Sequence, residues 1–310
     1  MCPVSVPSMS PSHENDMTTD IGSRDSQAVS LPAALRLGPV RLQVGDLARS
    51  LDFYTNVLGL HARERSDASA VLSAADGRPL VELVAVAGTR AVQPHGRLGL
   101  YHFALLLPNR AALGRFLAHL ARTGTRLGTS DHLVSEALYL RDPDGLGIEV
   151  YSDRPRDSWR VVDGQIEMAT APLDSESVLA AGGDERWSGM PAGAVMGHLH
   201  LHVAEIDAAS RFYHESLGLD RTVWSYPGAL FLSAGGYHHH LGLNTWAGAH
   251  AAAPSDEEAR LLEWRIVLPS EGDARAAVER LAAAGHAAAE SDGAWIVPDP
   301  WGTRLRLIVA

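Results

Sequence analysis

A chain of 310 residues, 46% apolar and 20% charged, has enough apolar side chains for one large core or two ordinary ones. Its formal charge of −11 argues against binding nucleic acid or an anionic lipid surface, because both need a basic patch to meet phosphate, and points to a small-molecule partner. Cys2 is the only cysteine, which excludes an intrachain disulfide and any cysteine-based zinc site and leaves His and carboxylate for any metal.

The opening stretch, 1–34, is rich in Ser, Pro and Asp and poor in large apolar groups, so it is expected to be disordered. It has no basic segment followed by an apolar one, and no later run is long and apolar enough to span a bilayer. Together these predict a soluble cytoplasmic protein.

From residue 35 onward the chain repeats itself. VRLQVGDLARSLDFYTNVLGL (40–60) predicts a short alternating strand, an acidic N-cap at Asp46, and a helix with Leu47, Leu51, Tyr54 and Leu58 on one face, closed by Gly59. YHFALLLPNRAALGRFLAHLARTG (101–124) predicts an apolar strand, a proline, a helix and a closing glycine. YLRDPDGLGIEVY (139–151) predicts two strands about a DPxG turn. The stretch 154–195, with Gly, Asp, Ser and Pro throughout, reads as a long linker that includes some ordered pieces. LHLHVAEIDAASRFYHESLGL (199–219) then repeats the first unit, LEWRIVLPSEGDARAAVERLAAAG (262–285) the second, and IVPDPWGTRLRLI (296–308) the DPxG pair. The result is four modules, each read as βαβββ, over 37–88, 100–153, 196–246 and 262–310. Modules one and two occupy 35–153, and modules three and four occupy 196–310. This is an α+β architecture of curved mixed sheets with helices outside.

In MGHLHLHV (196–203) the alternation of a strand puts His198, His200 and His202 on one face. A second histidine cluster, GYHHH (236–240), belongs to a strand-like segment that continues into HHLGL (239–243).

The repeated units, HLHLHVAEIDAASRFYHESLGL above all, resemble the vicinal oxygen chelate superfamily. That superfamily holds glyoxalase I, bleomycin-resistance proteins, fosfomycin-resistance enzymes and type I extradiol ring-cleaving dioxygenases. The resemblance covers nearly everything after residue 35. It implies two cup-shaped curved mixed sheets, each closed by two βαβββ modules around one metal position. Members of the dioxygenase and fosfomycin-resistance kind take a His from the first strand of one module, and a His and a Glu from the first and last strands of its partner. Aligning the repeats leaves one complete set, His102, Glu149 and His198, from modules two and three. The matching positions in modules one and four are Pro39, Glu263 and Arg306, so that cup is expected to carry no metal. Modules two and three should therefore face each other, and modules one and four should form the other cup.

Two His and one carboxylate on one side of a metal leave three positions open, which points to Fe(II), with Mn(II) the second choice. Zinc suits the ligands but cannot lend an electron to O₂. The closest resemblance is to the catechol-2,3-dioxygenase-like subgroup. There a tyrosine at the offset of Tyr139 from Glu149 contacts substrate oxygens, and a histidine matching His239 is the acid/base. A loop histidine matching His132, here two residues closer to the tyrosine, faces the substrate. His200, beside the ligand His198 on the same strand face, would touch the substrate. The implied function is Fe(II)-dependent extradiol cleavage of a small aromatic diol with O₂, with no nucleic-acid or membrane partner and a homo-oligomer left open. Two other readings stand beside it: a glyoxalase-like isomerase or transferase, and a metal-free binding protein of the resistance kind. His202, His238 and His240 divide evenly between cavity lining and local polarity. Trp224, Tyr226, Phe231, Asn244 and Trp246 are open between pocket and core.

Overall fold

The computed structural model describes residues 30–93 and 95–310. All but the last five residues of the expected disordered tail, 1–34, lie outside the described residues. Of those five, Leu31 is buried and donates its N–H to the Gly218 carbonyl at 2.7 Å.

Strand β1 (Arg36–Leu37) precedes module one, which is β2 (Val40–Val44), α1 (Leu47–Asn56), β3 (His61–Arg65), β4 (Ser69–Ser73) and β5 (Pro79–Ala85). Module two is β6 (Gly99–Leu106), α2 (Arg110–Thr123), β7 (Gly128–Asp131), β8 (Ser135–Arg141) and β9 (Gly147–Asp153). The intervening stretch holds a hairpin, β10 (Val161–Val162) with β11 (Gln165–Ile166), and a helix, α3 (Ser175–Gly182), that packs on α2. Module three is β12 (Val195–His202), α4 (Ile206–Ser210), β13 (Asp220–Val223), β14 (Ala229–Ser233) and β15 (Leu241–Asn244). Module four is β16 (Arg260–Leu268), α5 (Glu271–Ala283), β17 (Ala289–Ser291), β18 (Ala294–Pro298) and β19 (Arg304–Val309). No helix among the described residues is long and apolar enough to cross a membrane.

The expected N-caps differ in kind. The Asp46 side chain accepts the Arg49 N–H as a cap should, whereas Glu205, its counterpart before α4, makes no such bond. After Ser210 the module-three helix widens into a π-turn over Arg211–Ser216, so the two halves of the repeat are not copies at this point.

Two sheets form. One runs β13-β14-β15-β12-β6-β9-β8-β7 and the other β17-β18-β19-β16-β2-β5-β4-β3, with β1 added to β16. Modules two and three thus share one sheet across the antiparallel seam β12/β6, and modules one and four share the other across β16/β2. This is the pairing expected from the complete ligand set. Within each module the first and last strands run parallel, a connection that requires the intervening crossover helix.

The core lies between these sheets and their helices. Leu113, Phe116 and Leu120 of α2, and Phe212 and Tyr213 of module three, are buried to the last percent, each stabilising the fold by roughly 1.5–3 kcal/mol. Each DPxG turn is also tied to the helix of the preceding module. Asp142 accepts from the N–H groups of Asp144 and Leu146 and from the Tyr54 hydroxyl; Asp299 accepts from those of Trp301 and Thr303 and from the Tyr213 hydroxyl.

Candidate metal centre

His102 lies on β6, Glu149 on β9 and His198 on β12, so three neighbouring strands each contribute one side chain to a single point. Ala104 on β6 pairs with both His198 and Glu149, and its methyl group leaves the space between them free. His102 Nε2 is 3.0 Å and His198 Nε2 3.1 Å from the same Glu149 oxygen, Oε2. All three donor atoms fall within 4.8 Å of one another, and all three residues are buried.

Burial alone would raise the Glu149 carboxyl, but His198 and His102 beside it hold it well below the usual carboxylate range. Burial lowers His102 despite that carboxylate, which favours a neutral ring with a free lone pair. His102 Nε2 is buried and, although close to Glu149, is not aligned for a hydrogen bond. A buried carboxylate, two imidazoles and an orphaned ring nitrogen converging on one point fit a divalent cation.

The donors open onto a cavity of about 250 Å³, whose lining includes each residue given a metal or catalytic role from sequence: His102, His132, Tyr139, Glu149, His198, His200 and His239. On one wall His132 donates from Nδ1 to the Ala169 carbonyl at 2.7 Å. Its Nε2 is therefore bare and accepts the Tyr139 hydroxyl at 2.6 Å. Burial, with Glu149 nearby, pushes the Tyr139 hydroxyl well above the ordinary range, so it stays protonated. On the opposite wall the His239 ring lies 4.2 Å from that of His198. Burial, then neighbouring imidazoles, lowers His239 and His200 well below the ordinary histidine range. His200 Nε2 accepts from Asn244 Nδ2 at 2.9 Å, and Asn244 Oδ1 accepts from His202 Nδ1 and the Trp246 N–H. Gly242 makes room for this arrangement, because a Cβ there would sit 2.9 Å from the His200 ring.

Several placements depart from the alternation and segment types expected. The β6/β12 seam slips by one residue after the pair His200–His102, leaving Tyr101 unpaired. This bulge turns Tyr101 into the cup beside His102, with its ring 4.7 Å from that of His202 and 5.2 Å from that of His200. The run His238–His240 lies in the turn between β14 and β15, not in a strand, because Gly235 and Gly236 take positive φ and end β14 early. Tyr226, Phe231 and Trp246 line the cavity, whereas Trp224 is 46% exposed and does not. Met168, Ala169 and Thr170 cover the cavity from the inter-module stretch, a contribution for which no sequence signal exists.

The second cup holds charge where the first holds imidazole. Glu263 Oε1 accepts from Arg306 Nε at 2.7 Å and Arg265 Nε at 3.1 Å, and Arg265 also grips Glu82 with two N–H groups. Burial would raise Glu263, but the two guanidinium groups hold it low.

A profile of the glyoxalase/bleomycin resistance protein/dioxygenase superfamily matches this chain over residues 36–150 and 195–306. A catechol-2,3-dioxygenase of Bacillus subtilis (strain 168) is 42% identical over 268 residues, spanning 85% of this chain and 93% of the relative. In fold, the chain is similar to a crystal structure from Bacillus subtilis subsp. subtilis str. 168, with a TM-score of 0.62 at 14% identity over 91% of this chain and 86% of that one. It is also similar to glyoxalase I from Zea mays, with a TM-score of 0.52 at 16% identity over 89% and 92%.

Proposed function

The chain belongs to the glyoxalase/bleomycin resistance protein/dioxygenase superfamily, and on that premise we propose that it is an extradiol dioxygenase cleaving a catechol-type ring with O₂ at Fe(II). The reading rests on one observation. His102, His198 and Glu149 converge from one side of a cavity whose other walls carry neutral His239, the His132–Tyr139 pair and an apolar cover. Held by these three residues, Fe(II) would supply an open face for the diol and O₂ together and the electron that O₂ requires, and Mn(II) could serve in the same way. In the reaction the ring C–C bond beside the diol breaks and both atoms of O₂ enter the product.

The protein's own groups move the protons. His239, kept neutral by burial, can take a proton from the diol and return it later, worth about 10²–10⁴ in rate. Because the Tyr139 proton points to His132, the Tyr139 oxygen can accept a hydrogen bond from a diol hydroxyl, and the Ala169 carbonyl fixes that direction. His200 is held by Asn244 against the same space, where it can touch the ring. Met168, Phe231 and Trp246 exclude water from the reacting atoms.

The test is anaerobic reconstitution with Fe(II), followed by a panel of catechols and then air. Oxygen uptake with a yellow ring-opened product is expected. No uptake with any catechol, combined with turnover of a hemithioacetal under Ni(II) or Zn(II), would move the chain to the glyoxalase-like reading.

A further inference from the structure

Behind His239 runs a hydrogen-bonded chain that the reaction as described does not use. His238, fully buried, makes two ring contacts: its Nε2 lies 2.9 Å from Asp153 Oδ1, and its Nδ1 lies 2.7 Å from His239 Nδ1. Asp153 also accepts the Tyr237 hydroxyl at 3.0 Å on Oδ2, and Tyr237 in turn accepts the Tyr151 hydroxyl at 2.7 Å. Tyr151 reaches this position only because residue 197 is glycine; a Cβ there would lie 1.9 Å from its oxygen. The Asp153 side chain is 24% exposed, so the chain of bonds meets solvent at the carboxylate and ends in the cavity at His239.

We propose that Asp153 and His238 are positioning residues that fix the tautomer of His239. A carboxylate can only accept, so Asp153 holds the proton of a neutral His238 on Nε2 and leaves its Nδ1 bare. That bare nitrogen accepts from His239, which therefore carries its proton on Nδ1 and presents an unprotonated Nε2 to the cavity. A base is required there if His239 is to take a proton from the diol, so the inference rests on the dioxygenase reading for its consequence, though not for its geometry.

Asparagine at 153 should reverse the chain. Its oxygen would keep the bond from Tyr237 while its NH₂ donates to His238 Nε2. The His238 proton would then sit on Nδ1, where it donates to His239, and His239 would present Nε2–H to the cavity. Long-range ¹H–¹⁵N spectra of the imidazoles read these tautomers directly. On the full chain, metal-free and then with diamagnetic Zn(II), His239 should be the Nδ1–H form, change to Nε2–H in Asp153→Asn, and keep Nδ1–H in Tyr237→Phe, which leaves the Asp153–His238 bond intact. In the Fe(II)-loaded enzyme, Asp153→Asn should lower kcat about 10²-fold with KM little changed, and Asp153→Glu should recover part of it. Any other form of His239 in the wild type, or an Nδ1–H form that survives Asp153→Asn, overturns the proposal. Because the spectra need no turnover, an absence of ring cleavage would count against the dioxygenase reading and leave the tautomer result standing.

Discussion

The two cups share a skeleton and differ in how a buried carboxylate finds its positive charge. Both seams carry the same one-residue bulge, with Tyr101 extra in one and Leu262 in the other, and both place an acid on a first or last strand beside the seam. In the cup of modules one and four, Glu263 and Glu82 are neutralised by Arg265 and Arg306, so the cation is part of the chain. In the cup of modules two and three, the position of Arg306 is Glu149, that of Glu263 is His102, and among the described residues no guanidinium pairs with Glu149. A buried carboxylate between two imidazoles, of which burial lowers His102, fits an external cation. One substitution pattern on one backbone separates a cup closed by its own ion pairs from one whose buried groups fit a metal.

Breaking the first cup should give the largest effect. Glu149→Ala and His198→Ala are each expected to reduce bound metal to background, measured by elemental analysis of protein loaded with Fe(II) anaerobically, with the circular dichroism of the fold retained. Stoichiometric metal in either variant would remove that residue from the ligand set. In the second cup, Arg306→Glu should leave bound metal unchanged and cost about 3–5 kcal/mol in urea unfolding, because Glu263 would lose a partner and face a like charge.

A smaller effect sharpens the comparison between the two Tyr–Asp ties. Burial, with Asp144 nearby, pushes Asp142 up to about 6 from 3.8. A raised carboxyl favours the protonated form in the folded state, so its cost is absent below the unfolded value, grows as pH rises between the two values, and is fully present above about 6. The stability of Asp142→Asn relative to wild type should therefore improve from pH 4 to pH 7, by roughly 3 kcal/mol at most. Asp299→Asn should move in the same direction, since burial raises Asp299 too. Smallest is Tyr139→Phe, which removes one hydroxyl from the cavity and should slow ring cleavage by about tenfold or less, near 1 kcal/mol, read as kcat at saturating catechol.

Periodicity made the four modules legible, because a helix face such as Leu47, Leu51 and Tyr54 and an alternating strand such as β12 announce themselves within a few residues. The module pairing was legible for a different reason: only one assignment completes a ligand set. Three features were not. The bulge that turns Tyr101 into the cup arises from sheet curvature across the seam, which no local window contains. The end of β14 before the His238–His240 run depends on the φ of Gly235 and Gly236, whereas the apolar residues after it suggest a continuing strand. The cover over the cavity, Met168 to Thr170, comes from a stretch whose composition marks it as a connection, and its place is set by contacts such as that from His132 to Ala169, 37 residues apart.

The sheets join modules two with three and one with four, while the Tyr54–Asp142 and Tyr213–Asp299 bonds join one with two and three with four. Taken together these links close a ring of four. A cut within 154–195 would leave each fragment holding one half of both sheets, with β6 and β2 stripped of their partners on one fragment and β12 and β16 on the other. Neither fragment would be a folding unit, yet their exposed seams are complementary. Two co-expressed fragments are expected to find each other through these seams and rebuild the cavity, as a split reporter does, with His102 and Glu149 on one and His198 on the other.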